Sequence, residues 1–291
     1  MAEHLSNGIL EIEVALRGAE LQSLRRVASP AEYLWHGDAQ YWNRRAPILF
    51  PIVGKVWNDT ARIDGQAYEL HQHGFARDCD FEKIVDEDRH LAFLLRSNAQ
   101  TRRLWPFDFE LRIDYTLLRN RLTVGWSVTN RDSREMPFQI GAHPAFAYPN
   151  FHLDDAVHGF FSFDAKSPLV SSRVEGGFAV SETFEVPLPA DDLLPLTNET
   201  FACDTIVEAT GRVHRVTLHN AEGRPWITVL HNMPITALWS PCNGRAPFVC
   251  IEPWHGRCDD QYFEGEFACR PAIERVAPGQ TWTTSYEILV E

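Results

Sequence analysis

The chain has 291 residues, 44% of them hydrophobic, enough to bury a large core, and a single domain over residues 1–291 is the expectation because sandwiches and barrels of this size commonly form one. A net charge of -13 and a pI near 5.4 argue against phosphate-backbone binding, which draws on a basic surface. The opening MAEHLSNGILEIEVALRGAELQSL has no basic patch followed by an apolar run, and no stretch reaches the roughly 20 apolar residues of a membrane span, so a cytoplasmic protein with neither nucleic acid nor membrane as partner is expected.

From the N-terminus, extended runs rich in β-branched and aromatic residues fall at 9–15, 60–70 around Asp64-Gly65, 90–96, 109–117, 122–130, 213–219, 226–231 and 281–289. In 122–129 apolar and polar side chains alternate, which predicts one face turned inward. Asn120, Asp64-Gly65, Glu222-Gly223 and Pro278-Gly279 stand between runs and suit chain reversal, so sequential strands are expected to be antiparallel neighbours. A weak helical period predicts short helices or helical turns at 97–104 and 191–201, and the Pro- and acid-rich 182–195 reads as a surface loop. No internal repeat or linker divides the chain, and the fold class expected is a large all-β antiparallel sandwich.

Three segments concentrate ionisable residues among glycine, proline and aromatics: 70–78 (LHQHGFARD), 141–146 (GAHPAF) and 249–256 (VCIEPWHG). Glu252 follows the apolar run 248–251 and precedes a proline, which places it at the end of a strand buried on both faces. A carboxylate there is costly unless paired or used, and burial moves its pKa up toward the range of a base working near neutral pH. Its structural reading is an ion pair with Arg257 or Arg245. His143, between Gly-Ala and Pro, can stand exposed at a strand end, with an intrinsic pKa near 6.5 suited to proton transfer in either direction.

His71 and His73 form an H-x-H pair whose rings would share a face if extended, making a metal-dependent jelly-roll enzyme the rival reading; the next glutamate, Glu82, is too distant for the usual ligand set. The six cysteines contain no CxxC pair; a zinc site from Cys242, Cys250, Cys258 and His255 fits no standard spacing, and no metal is expected. Phe50, Trp57, Phe75, Phe146, Trp239 and Trp254 lie near the three segments, and aromatic faces suit the C–H face of a sugar. Core packing is the simpler reading for most; Trp254, beside Glu252-Pro253, is the one placed near a ligand. No dinucleotide-binding G-x-G-x-x-G, no GxxxxGK[ST] loop and no G-x-S-x-G elbow is present.

Taken in order, Asn7-Gly-Ile-Leu-Glu, 45–54 (RAPILFPIVG), 72–78 (QHGFARD), Gly141-Ala-His-Pro, Leu238-Trp-Ser-Pro and Cys250-Ile-Glu-Pro-Trp resemble the aldose 1-epimerase (galactose mutarotase) family, in particular its shorter bacterial LacX-like branch, over nearly the whole chain. The resemblance implies a supersandwich with an open sugar cleft and cofactor-free anomer interconversion. It makes His143 the acid on the ring oxygen and Glu252 the base on the C1 hydroxyl. His73 resembles a second histidine that hydrogen-bonds the sugar, and Asp204 an aspartate that holds its hydroxyls; Arg77 and Trp254 complete the substrate-binding set. Lys55 stands where the family commonly has arginine, and lysine cannot reproduce a planar bidentate contact. The partner implied is a small-molecule sugar, with monomer and homodimer both open. The alternatives carried forward are a hexose-6-phosphate mutarotase and a non-catalytic sugar-binding or sensing protein on the same fold.

Overall fold

A computed structural model describes residues 2–165, 168–190, 192–241 and 245–291. Two large antiparallel sheets dominate it. The first has nine strands, ordered Leu194–Leu196, Gly159–Phe163, Arg215–His219, Pro225–His231, Thr281–Val290, Arg121–Asn130, Phe109–Leu118, His90–Arg96 and Glu82–Glu87. The second has eight, ordered Phe178–Val186, Leu169–Glu175, Ile206–Glu208, Ile235–Trp239, Phe248–His255, Ile140–Ala142 and Ile48–Leu49, with Ala145–Ala147 also pairing Phe248–His255. Among the described residues no helix is long and apolar enough to cross a membrane.

The period-two pattern does what it predicts: Leu122, Val124, Trp126 and Val128 are buried on the core face, while Thr123, Gly125, Ser127 and Thr129 lie on the more exposed one. One apolar cluster joins the sheets, taking Leu111, Ile113 and Ile288 from the first and Phe146, Val249 and Ile251 from the second. Since neighbouring side chains of a strand point to opposite faces, committing Val249 and Ile251 to this core sends Cys250, Glu252 and Trp254 to the other side of the second sheet. Strand polarity thus carries a carboxylate out of the sandwich core without exposing it to water.

Some expectations are corrected. Residues 192–201 form no helix: Leu194–Leu196 pairs with Gly159–Phe163 as the edge of the first sheet, followed by a turn, while Asp191 lies outside the described residues. Leu194 and Leu196, two apart, are both buried, so period two outweighs the weak helical period. The segment 182–195 is not all loop, since Phe178–Val186 runs through its first part. At 97–104 a single helical turn forms, Thr101–Leu104, with Asn98 Oδ1 accepting from the Gln100 and Thr101 backbone N–H groups.

Candidate active site

Two prolines shape the site. Glu252 is not at a strand end but inside Phe248–His255, whose pairing with its neighbour is interrupted: Ile140 and Gly141 pair with His255 and Trp254, Ala145 pairs with Cys250, and the His143-Pro144 step between them breaks the ladder. Pro144 and Pro253 have no N–H to donate, so the two strands part here. His143 turns out of the ladder, anchored by its backbone N–H to Pro47 C=O. Gly141 is required opposite, because a Cβ there would lie 2.5 Å from the Trp254 ring.

Across this gap His143 Nε2 lies 3.2 Å from Glu252 Oε2. The contact is close enough for proton exchange but is not aligned as a hydrogen bond. Both Glu252 oxygens and His143 Nδ1 are buried with no hydrogen-bond partner among the described residues. Groups in that state normally cost stability, and the feature therefore marks a site rather than a support. The ion pair expected as the structural reading does not form: Arg257 engages Asp260 at 2.8 Å instead.

Burial sets the charges. It pushes the Glu252 carboxyl well above its usual 4.5, with Asp204 adding like-charge repulsion. It lowers His143 to about 3, aided by the positive Arg77. His73 is likewise driven well below 6.5, first by burial and then by His143 and Arg77. Both shifts favour the uncharged forms, a carboxylic acid beside a neutral imidazole, and transfer of that one proton across the contact yields carboxylate and imidazolium with no change in net charge.

His73 sits at φ +67, beside Gly74, whose own φ is +69 and where a Cβ would lie 2.3 Å from Phe50 C=O. This turn undoes the H-x-H expectation. His71 points to solvent near Glu69 and Asp59, while His73 turns inward with its ring 5.6 Å from that of His143. Its Nδ1 accepts from Gly54 N–H at 3.1 Å, so the neutral ring carries its proton on Nε2. The four-residue zinc arrangement does not assemble either: His255 pairs with Glu274, on the opposite strand face from Cys250, and Cys242 lies outside the described residues. The three groups that do converge are His143, Cys250 and Glu252, with ligand atoms within 4.8 Å of one another. Burial raises the Cys250 thiol well above 9, which favours its protonated form over a metal-binding thiolate.

One cavity of about 650 Å³ is lined by His143, Glu252, His73, Lys55, Asp204, Trp254 and Arg77 together. Lys55 donates to Gly176 C=O at 3.1 Å, and Arg77 to Gln72 C=O at 2.6 Å. Trp254 spends its indole N–H on Ala142 C=O, leaving its ring to the cavity. Phe50 and Phe146 belong to the core, as does Phe75. Sequence reasoning missed Tyr41 and Trp42, and placed Trp239 with the core. Trp42 and Trp239 flank the His143 imidazole at ring-centroid distances of 4.7 and 5.5 Å, and all three line the cavity. Their signal was an adjacent aromatic pair in an otherwise polar stretch, 38–45.

The sequence profile of the aldose 1-epimerase family matches residues 2–267. The chain belongs to the aldose 1-epimerase family. Within it, the plasmid form of protein LacX from Lactococcus lactis subsp. lactis is 30% identical over 300 residues, covering 100% of this chain and 99% of the relative. The crystal structure of a galactose mutarotase-like protein from Lactobacillus casei superposes with a TM-score of 0.93 at 31% identity, covering 100% of both chains. A galactose mutarotase related enzyme from Lactobacillus acidophilus gives 0.93 at 28% identity, covering 100% of this chain and 97% of its own. The galactose mutarotase-like sandwich expected from the motifs is thus the fold of this aldose 1-epimerase family member.

Proposed function

We propose that the protein is a cofactor-free mutarotase that interconverts the α and β anomers of an aldohexose, with Glu252 as base and His143 as acid. The observation that carries this reading is the buried, otherwise unpartnered His143–Glu252 contact of 3.2 Å at a cavity wall. Ring opening takes a proton from the C1 hydroxyl and gives one to the ring oxygen. Both oxygens are borne by the same carbon, so acid and base must lie side by side. In the ion-pair form, Glu252 carboxylate accepts the O1 proton while His143 imidazolium donates to the ring oxygen, and the C1–O5 bond breaks to leave an aldehyde. The pair ends as carboxylic acid and neutral imidazole, the other form of the same one-proton system. Rotation about C1–C2 and the reverse transfers close the ring as the opposite anomer.

His73 Nε2–H supplies a donor beside His143, Asp204 and Lys55 engage hydroxyls, and the Trp254 ring meets a C–H face. Arg77 adds a positive field that disfavours a second proton on the histidines. The test is polarimetry of freshly dissolved α-D-glucose and α-D-galactose with the protein, its Glu252→Gln variant, and EDTA. Acceleration that survives EDTA and vanishes in the variant is expected. Lys55 and Arg77 make hexose 6-phosphates the next substrates to try if neither free sugar responds, and failure of all would favour a non-catalytic sugar-binding protein.

A further inference from the structure

Beyond the cavity rim stands a group of aromatics that the proposed chemistry leaves unused. Trp57 packs edge-on against Phe178 at a centroid distance of 4.7 Å and against Tyr262 at 4.8 Å. Trp57 and Phe178 are half-buried. Tyr262 is 75% exposed, the highest value for any large hydrophobic side chain among the described residues. Its backbone lies at φ +66, a left-handed conformation uncommon for a bulky side chain. The structure holds it there firmly. Gln261 N–H donates to Ala179 C=O at 2.9 Å, Ala179 N–H to Asp259 C=O at 2.9 Å, and Trp57 N–H to Asp259 Oδ2 at 2.9 Å. Asp259 is itself fixed by buried Arg270 at 2.6 Å. A solvent-facing aromatic on a hydrogen-bonded support can offer its ring face to a ligand at a small ordering cost.

The group is continuous with the cavity through Lys55, which lines the cavity while its Nζ lies 5.7 Å from the centre of the Phe178 ring. Gly177 and Ala179, either side of Phe178, also line the cavity. At about 650 Å³ the cavity is larger than one pyranose ring fills, so a ligand seated at His143 and Glu252 has room to extend to this edge. Resting on the mutarotase reading, we infer that Trp57, Phe178 and Tyr262 form an outer subsite for the second pyranose ring of a reducing disaccharide. The reducing end must occupy the cavity, because it alone carries a free anomeric centre. The outer ring, joined through a hydroxyl other than that on C1, lays its C–H face on the Tyr262–Trp57 surface. Lys55 stands between the two rings with hydrogen-bond donors for hydroxyls on either.

The experiment compares mutarotation of maltose and cellobiose with that of glucose in the protein and its Tyr262→Ala variant. Removing one aromatic face is expected to lower kcat/KM for a disaccharide about three- to tenfold and to leave glucose unchanged. Equal losses on both sugars, or no loss on either disaccharide, overturns the subsite. Because catalysis and binding can fail separately, saturation-transfer NMR with methyl β-maltoside and methyl β-cellobioside, which cannot mutarotate, reads the subsite directly. Contacts on outer-ring protons that weaken in Tyr262→Ala are expected even if no sugar is turned over. Absence of outer-ring contacts with both glycosides overturns the proposal without bearing on the His143–Glu252 chemistry.

Discussion

Two buried ionisable pairs stand close to the same cavity and differ in one respect. Arg270 and Asp259, 3% and 2% exposed, are 2.6 Å apart, and the guanidinium also donates to Gln139 Oε1 and to Arg257 C=O, while the Asp259 carboxylate accepts from Trp57 N–H. Burial pulls the Arg270 pKa down from 12.5, and Asp259 pulls it back up. Glu252 is as deeply buried, yet neither of its oxygens accepts a hydrogen bond. A fully satisfied pair fixes geometry, whereas an unsatisfied one keeps its proton mobile. Burial alone does not separate scaffold from site; the state of the hydrogen bonds does.

The strongest way to break that comparison is to alter the unsatisfied pair. Glu252→Gln and His143→Gln each remove one proton-transfer partner, and mutarotation is expected to fall by about 10²- to 10⁴-fold in each. Stability should fall by no more than about 1 kcal/mol in either variant, because neither change breaks a well-formed hydrogen bond. Polarimetry beside urea unfolding checks both halves. A Glu252→Gln protein that unfolds readily would place this pair with the scaffold after all.

The converse substitution, Arg270→Met, should cost about 3–5 kcal/mol, since it leaves Asp259 charged, buried and short of its partner. Asp259 N–H also donates to Lys55 C=O, so the loss reaches the cavity floor and the Tyr262 support together. Urea unfolding supplies the measurement; a loss below about 1 kcal/mol, the value of an exposed ion pair, would contradict the assignment of a structural role.

Much of the site was legible because local chemistry advertised it. Glu252 and His143 interrupt apolar runs beside prolines, and His73 precedes the glycine its turn requires. The seven residues named from the sequence do line one cavity. What was hidden is what strand register and long-range pairing decide. Trp42 reaches His143 from 101 positions away, and its polar surroundings mark it as unlike a core tryptophan without saying which segment it meets. The Arg270–Asp259 pair reads in sequence as two ordinary surface charges, because its burial depends on Gln139 and on the 53–57 loop converging there. The strand Leu194–Leu196 was lost to a weak helical period because its partner, Gly159–Phe163, lies far back along the chain.

Acid sharpens the same contrast. The folded protein refuses a proton at His143 until about pH 3 and at His231 until about pH 4, whereas the unfolded chain accepts one near 6.5. The unfolded state therefore binds more protons through that window, and stability is lost as the pH falls below 6.5, by at most about 1.4 kcal/mol per pH unit for each group. Glu252 has the opposite sign. Its raised folded pKa means that the folded state holds a proton the unfolded state releases, so it costs stability as the pH rises above 4.5. Thermal melts from pH 4 to 7 should show a shallower acid slope in His143→Gln, and a Glu252→Gln protein that gains on its parent toward neutral pH. Parallel curves for all three would mean that the pair titrates as ordinary surface groups do.

The smallest effect concerns Lys55. Its ammonium donates to Gly176 C=O and faces the Phe178 ring, and among the described residues no carboxylate lies at ion-pair distance from it. Gly177 crowds it, since a Cβ there would lie 2.9 Å from its side-chain carbons. Lys55→Arg restores the planar fork common in the family and adds donors for sugar hydroxyls, yet must fit beneath this hairpin. A change in KM of about two- to fivefold with kcat unchanged is expected, as for a group that binds ground state and transition state alike. Initial-rate polarimetry over a range of glucose concentrations separates the two constants. A fall in kcat instead would make the position of this cation, rather than its charge, part of the proton-transfer geometry at His143 and Glu252.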